Sequence, residues 1–154
     1  MSHEETIKTI KSAFPVAVQE AKLLRRKRIS VTIKVDRVRE VASFIKEELG
    51  FDTLVSVGGI DYIGAKIFQV VYYVWSSSKR KLLMLKVNVH RNKPTLPSLI
   101  DVWEAVDYHE REAWEMFGIE FRGHPNLTKF LLPEEWSNGF PLRKDFEYDS
   151  EGEN

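Results

Sequence analysis

Hydrophobic and polar positions alternate with a period of two in four stretches of this chain, and the segments around them carry a helical period. Ile29, Val31, Ile33 and Val35 set against Ser30, Thr32 and Lys34 predict a strand with one buried face. Leu54 to Ile63, Lys66 to Trp75 and Leu82 to His90 predict three more, the last two joined by a hairpin loop over residues 76–80. Between the first strand and the second, Val38, Val41, Ala42, Ile45 and Leu49 fall on one side of a helix, with Asp36 placed to cap its start and Gly50 to stop it. Ahead of all these, Ile7, Ile10 and Phe14, and after Pro15 also Val18, Ala21 and Leu24, have the spacing of two short peripheral helical segments.

Beyond His90 the pattern changes. Arg91 to Pro97 places two prolines among polar residues and predicts a linker. Ser98 with Asp101 resembles a capping box, so a helix is expected from near Leu99, with Val102, Trp103, Val106, Ala113, Trp114 and Phe117 at helical spacing and a break allowed near Asp107. Glu110 lies on that apolar side, where a carboxylate needs a partner or must turn to the rim. After Gly118, three prolines and Gly139 preclude any long element, yet Ile119, Phe121, Leu127, Phe130, Leu131, Leu132, Trp136, Phe140 and Leu142 persist. Something must cover them. The expectation is an α+β fold: a small, mostly antiparallel sheet of about four strands with helix packed on one face, then a short helix and an extended C-terminal tail. Residues 1–91 form the α+β part, 92–98 the linker, 99–118 the helical segment and 119–154 a partner-binding tail that orders with its partner.

The 154 residues suffice for one cored domain without staples. There is no cysteine, so the chain holds no disulfide and no cysteine-ligated cluster or zinc. No apolar run reaches the roughly 18 residues of a membrane span, and no apolar signal core follows the first charges, so a soluble intracellular chain is expected. The formal net charge is zero, which argues against nucleic acid as a partner. That zero hides an asymmetry. Residues 1–98 carry 18 Lys/Arg against 9 Asp/Glu, and residues 99–154 carry 5 against 14. The two parts either face each other or face different partners. The densest cations, Lys22, Arg25, Arg26, Lys27 and Arg28, read as a solvated edge beside the first strand, with an anionic lipid or nucleic-acid contact as the alternative.

Candidate chemistry is sparse. Gly58, Gly59 and Gly64 lack the spacing and the following helix of a dinucleotide loop and are expected in a bulge and a turn. Tyr62, Phe68, Tyr72, Tyr73 and Trp75 read as core and sheet face rather than as a base-stacking platform. Asp107, His109, Glu110 and Glu112 suggest metal or acid/base chemistry, but the second histidine of a zinc helix motif is missing. His124, held between Gly123 and Pro125, reads as a hydrogen-bonding anchor.

Four ordered blocks carry a family likeness: Glu110-Arg111-Glu112, Met116-Phe117-Gly118-Ile119, Gly123-His124-Pro125-Asn126-Leu127 and Phe140-Pro141-Leu142-Arg143-Lys144-Asp145. Together they resemble the signature of the 30 kDa subunit family of respiratory complex I, the C subunit of bacterial NADH:quinone oxidoreductase, also present in membrane-bound [NiFe] hydrogenases and archaeal relatives. One departure stands out. Where the family places an arginine after the third block, this chain has Thr128, followed by Lys129. The short chain with its acidic tail is expected to be a minimal prokaryotic or archaeal module, the hydrogenase-like archaeal relatives being favoured over the NADH:quinone oxidoreductases and sulfur-reducing relatives.

The resemblance implies a non-catalytic hydrophilic subunit on the cytoplasmic side of a membrane complex that couples electron transfer to ion translocation. It implies binding to the hydrogenase-like large subunit (49 kDa type), alongside cluster-binding small subunits and antiporter-like membrane subunits. No catalytic residue, cofactor or metal site is implied in this chain; iron–sulfur clusters, and nickel–iron in the hydrogenase branch, belong to the partners. The residues it marks for the partner interface are Glu110, Arg111, Glu112, Phe117, Gly118, His124, Pro125, Leu127, Lys129, Pro141, Leu142, Arg143, Lys144 and Asp145. Among them Arg143, after a rigid X-Pro turn, is shaped to fork onto a carboxylate of another surface. A reading from another class keeps the chain as a small free enzyme using His109, Glu110, Glu112 and His124.

Overall fold

The computed structural model describes residues 1–147. Helix α1 (His3–Ala13) opens with a capping box between Ser2 and Glu5, which satisfies two end donors reciprocally. Strands β1 (Val18–Leu24), β2 (Arg28–Ile33), β3 (Thr53–Tyr62), β4 (Ile67–Ser76) and β5 (Lys81–His90) form one sheet in the order β1-β2-β5-β4-β3. Only β2 and β5 run parallel; the other neighbours are antiparallel. Helix α2 (Val38–Glu47) lies between β2 and β3, and helix α3 (Val106–Phe117) follows the sheet. A separate parallel pair, β6 (Thr95–Pro97) with β7 (Glu120–Arg122), ties the chain before α3 to the chain after it. From residue 123 to 147 there is no helix or strand, as the prolines dictate.

Alternation sends Ile29, Val31 and Ile33, then Phe68, Val70, Tyr72 and Val74, then Leu83, Leu85, Val87 and Val89 to one face of the sheet. These pack with Ile10 of α1 and Phe14 just after it, Val41, Ala42 and Ile45 of α2, and Ala113 and Phe117 of α3 in a single core. The other face carries Lys22, Arg28, Gln69, Tyr73, Trp75, Lys86 and Asn88, all exposed or half-exposed.

Five expectations are corrected. Val18–Leu24 is an edge strand and not a helical segment, and it brings the expected sheet of about four strands to five. Its part-buried residues Val18, Ala21 and Leu24 recur every third position because a register shift after Val18 and a position at the sheet edge spread them over both faces. The period mimics a helix, and the ladder to β2 overrides it. Asp36 does not cap α2, which starts at Val38 after a tight turn without a side-chain cap; Arg37 instead bonds Glu40 at 2.7 Å. The Ser98–Asp101 capping box does not form, because Ser98 Oγ donates to Glu110 and Asp101 pairs with Arg39. As a result α3 begins at Val106, although Leu99, Val102 and Trp103 are buried ahead of it. The sheet irregularity falls at Val55, while Gly58 and Gly59 sit in regular pairing opposite Val71 and Val70. Gly59 is needed for close approach: a Cβ there would lie 2.7 Å from the Phe117 ring. Finally, the linker is not all loop, since Thr95–Pro97 is the strand β6 and Leu96 is fully buried. The expected partner-binding tail lies, beyond residue 147, outside the described residues; Phe146 stacks on Trp136.

Candidate partner interface

Helix α3 organises this end of the molecule. Its inward carboxylate, Glu110, is fully buried and accepts from Ser98 Oγ at 2.6 Å, the Leu99 N–H at 2.8 Å and the Tyr72 hydroxyl at 3.2 Å. Burial outweighs these three donors and pushes its carboxyl above the usual value; burial, then the nearby Glu110 charge, raises Tyr72 as well. Glu110 therefore has its partners inside this chain.

Along the next side of α3, three residues fasten the tail. Arg111 donates to both oxygens of Thr128, at 2.8 Å to the hydroxyl and 3.2 Å to the carbonyl, and lies over the rings of Tyr108 and Phe130. Glu115, buried, accepts from the backbone N–H groups of Phe130, Leu131 and Leu132 at 3.3, 3.1 and 2.8 Å. A carboxylate taking three backbone donors fixes a segment that has no ladder of its own. Asp107 meets the His124 ring: Nε2 lies 3.2 Å from its carbonyl and 3.0 Å from Oδ1. Because His124 Nδ1 accepts from the Asn126 N–H, the ring hydrogen is assigned to Nε2 and directed at Asp107. The histidine is an anchor, as its Gly-His-Pro setting implied.

The last signature block folds back on the sheet. Leu142 N–H donates to the Met116 carbonyl, and Arg143 Nε donates to the Phe117 carbonyl at 2.7 Å with its guanidinium between the rings of Phe68 and Phe140. Arg143, shaped in the sequence for another surface, is turned inward here. The fork belongs to Arg91, which grips both oxygens of buried Asp61 at 2.8 Å and reaches Asp145 at 2.9 Å, while Lys144 N–H donates to Asp61 at 2.9 Å. The Arg91 guanidinium holds both carboxyls below their usual value, and they in turn raise Arg91. Lys129 reaches the Trp136 carbonyl. Gly118 closes α3 at φ +77°, and a Cβ on it would meet the Phe140 ring at 2.7 Å and Arg143 at 2.8 Å.

Several backbone and charged groups of the tail are thus bonded to its own domain, while some of its large apolar side chains remain exposed. Tyr108, Phe130, Leu131, Phe140 and Leu142 are all exposed, Tyr108 edge-on to Phe130, and Phe140 walls an apolar cavity of about 350 Å³ with Trp114, Leu132 and Trp136. Of the residues marked from the sequence, Glu110, Arg111 and Phe117 are interior; Gly118, His124, Leu127, Pro141 and Arg143 are half-buried; Glu112, Pro125, Lys129, Leu142, Lys144 and Asp145 are on the surface. Asp61, Arg91 and Glu115 carry the attachment and were not marked. His109, Glu110, Glu112 and His124 do not converge: Glu110 and His124 are engaged as above, while His109 and Glu112 line a shallow pocket beside Gly59 and Leu142. Among the described residues no group of three or more His, Cys, Asp or Glu is placed to hold a metal, and no helix is long and apolar enough to cross a membrane.

The family model described as respiratory-chain NADH dehydrogenase, 30 Kd subunit, matches residues 31–152. The chain belongs to this family. Among 30 kDa relatives, the C subunit of NADH-quinone oxidoreductase from Roseiflexus sp. (strain RS-1) is 38% identical over 94% of this chain and 84% of its own length. The C subunit of F(420)H(2) dehydrogenase from Methanosarcina mazei is 35% identical over 96% of this chain and 93% of its own. In fold, the chain is similar to one in the structure of the membrane-bound sulfane sulfur reductase (MBS), an archaeal respiratory membrane complex, with a TM-score of 0.84 at 24% identity over 94% of this chain and 85% of that one. A trypsin-resistant fragment of Nqo5 matches with a TM-score of 0.71 at 26% identity, over 82% of this chain and 100% of the fragment. In this member of the 30 kDa family Thr128, the departure from the signature, receives Arg111 on both its hydroxyl and its carbonyl.

Gly118→Ala is expected to release the tail. The left-handed backbone and the overlap with Phe140 and Arg143 together cost about 2–4 kcal/mol. Faster protease cleavage after residue 118, with the sheet core still folded, is the result to look for; cleavage at the wild-type rate would show that the segment yields without strain.

Proposed function

We propose that this chain is a non-catalytic hydrophilic subunit of a complex-I-like, membrane-bound oxidoreductase, docked on the hydrogenase-like large subunit of the peripheral arm on the cytoplasmic side. The observation that carries this reading is the division of labour in the tail. Thr128, the backbone N–H groups of residues 130–132 and Lys144, and the Asp145 carboxylate are held inward by Arg111, Glu115, Asp61 and Arg91, while Phe130, Leu131, Phe140 and Leu142 stay exposed, Phe140 at the wall of a cavity. An exposed apolar cluster on a fastened frame suits a protein partner, whose anchoring side chain would enter the cavity. Membership of the family and the names of its relatives support a place in such an assembly. Iron–sulfur clusters, and nickel–iron in a hydrogenase-type complex, would reside in the partner subunits; small cluster-binding and antiporter-like membrane subunits would complete the assembly.

The test is a mild-detergent pulldown of the tagged chain from its native membranes, with mass spectrometry and metal analysis. A large hydrogenase-like subunit should co-purify with cluster-binding and antiporter-like proteins. Leu131→Asp with Leu142→Asp should lose them while unfolding in urea as the wild type does, because both side chains are exposed. A chain recovered alone and monomeric would overturn the proposal.

A further inference from the structure

The fold separates the two oppositely charged halves of the sequence. The tail is fastened at the His90 end of β5, through Arg91. At the Lys81 end, about 30 Å away along ten-residue strands, the β1–β2 turn (Arg25–Lys27), the β4–β5 turn (residues 77–80) and the start of α1 enclose a concave site of about 450 Å³. His3, Arg26, Lys27, Arg28 and Arg80 line it, with Trp75 and Leu82 as its apolar part. No carboxylate lines it. Among the described residues Arg26, Lys27 and Arg80 have no ion-pair partner, Arg28 reaches only the Arg25 carbonyl, and the neighbouring Glu20 is paired with Lys22. The acidic half does not neutralise this end.

The backbone makes the same point independently. Among the described residues four non-glycine residues have positive φ, all basic, and three of them are here: Arg26 at 60°, Lys27 at 55° and Arg80 at 53°. Glycine or asparagine suits that conformation far better than a long cation. Two separate turns therefore hold strained cations toward one concavity, a pattern that points to use rather than to folding.

We propose that this end of the sheet binds a phosphate-bearing anion, its oxygens held by Arg26, Lys27, Arg28 and Arg80 and an adjoining planar or acyl portion laid against Trp75 and Leu82. Guanidinium forks match phosphate oxygens two at a time, and the concavity has the volume of a small-ligand site. The site is independent of the tail and of the assembly reading.

The experiment uses the full chain at low ionic strength with three probes: inorganic phosphate, ATP, and phosphatidylcholine vesicles with or without phosphatidylglycerol. Saturable binding that weakens with added salt is expected. Arg26→Gly, Lys27→Gly and Arg80→Gly combined should weaken it about tenfold or more while leaving the unfolding midpoint unchanged or higher, since glycine relieves the turns. Trp75→Ala should reduce affinity for ATP or vesicles and spare inorganic phosphate. Binding to phosphatidylglycerol vesicles but not ATP identifies a lipid headgroup as the source; the converse identifies a soluble ligand. Absence of saturable binding to all three probes, or undiminished binding by the folded triple variant, overturns the proposal. If the triple variant does not fold, Arg80→Gly alone decides, by weaker or unchanged binding.

Discussion

Arg91→Ala is expected to lower the stability of this chain by about 3–5 kcal/mol, because it strands a buried carboxylate. The Asp61 side chain is 1% exposed and that of Arg91 14%, and the two share a bidentate pair at 2.8 Å. Without Arg91, Asp61 keeps only the Lys144 N–H. Asp145 loses its partner at the same time, and Phe68 loses the guanidinium over its ring. The effect should spread to the tail, since Lys144 and Asp145 are held through this pair. Arg91→Lys should restore part of the loss, keeping the charge without the fork. The pH dependence has a definite sign. Arg91 holds the Asp61 carboxyl below its usual value, so the pair's contribution is fully present above the ordinary carboxylate range and is lost as pH falls through the lowered, folded-state value. The gap between wild type and Arg91→Ala in urea should therefore be widest near neutrality and narrow below about pH 4. Equal midpoints at pH 7 would show that water replaces the guanidinium without cost.

What the sequence makes legible here is periodic or contiguous, and what it hides is long-range. β2, β4, β5 and α2 follow from alternation and helical spacing because each keeps a buried face along its length, and β3 follows from its β-prone composition between turn residues. β1 is hidden because an edge strand with a register shift need not alternate. The start of α3 is hidden because Ser98, a residue that favours caps, is drawn to a carboxylate twelve positions away. The signature blocks point to the right end of the molecule, but not to the division within it. Arg111, Gly118, His124 and Arg143 hold the tail in place, whereas the exposed Phe130 and Leu131 lie outside the blocks. Asp61 and Arg91 leave no local trace. One reads as a polar residue in a strand and the other as the first residue of a linker, and only the tertiary fold brings them together.

Glu110 supplies the second large effect, and two substitutions separate its parts. Glu110→Ala should cost about 3–5 kcal/mol, since it leaves the Tyr72 hydroxyl, Ser98 hydroxyl and Leu99 N–H without acceptor and opens a cavity beside Leu99 and Val106. Glu110→Gln keeps the shape; its oxygen can still accept from the Leu99 N–H and the Tyr72 hydroxyl, and its amide nitrogen, in the place of the other oxygen, can donate to Ser98 Oγ, so at acid pH it should differ little from wild type. The difference should emerge as pH rises. Burial raises the Glu110 carboxyl above its usual value, so the native state holds the proton more tightly than the unfolded chain. The wild type is then favoured below the unfolded-state value and loses stability as pH climbs from there through the raised, folded-state value. Glutamine has no proton to lose. Urea midpoints of Glu110→Gln should gain on wild type between about pH 4 and neutrality, where lowered groups such as Asp61 push both proteins in the opposite direction and cancel in the comparison. Parallel curves for the two proteins would mean that the three donors fully offset the burial. A fall in co-purified subunits for Glu110→Gln, with its own midpoint intact, would give Glu110 a role in the partner contact that its burial in the isolated chain does not require.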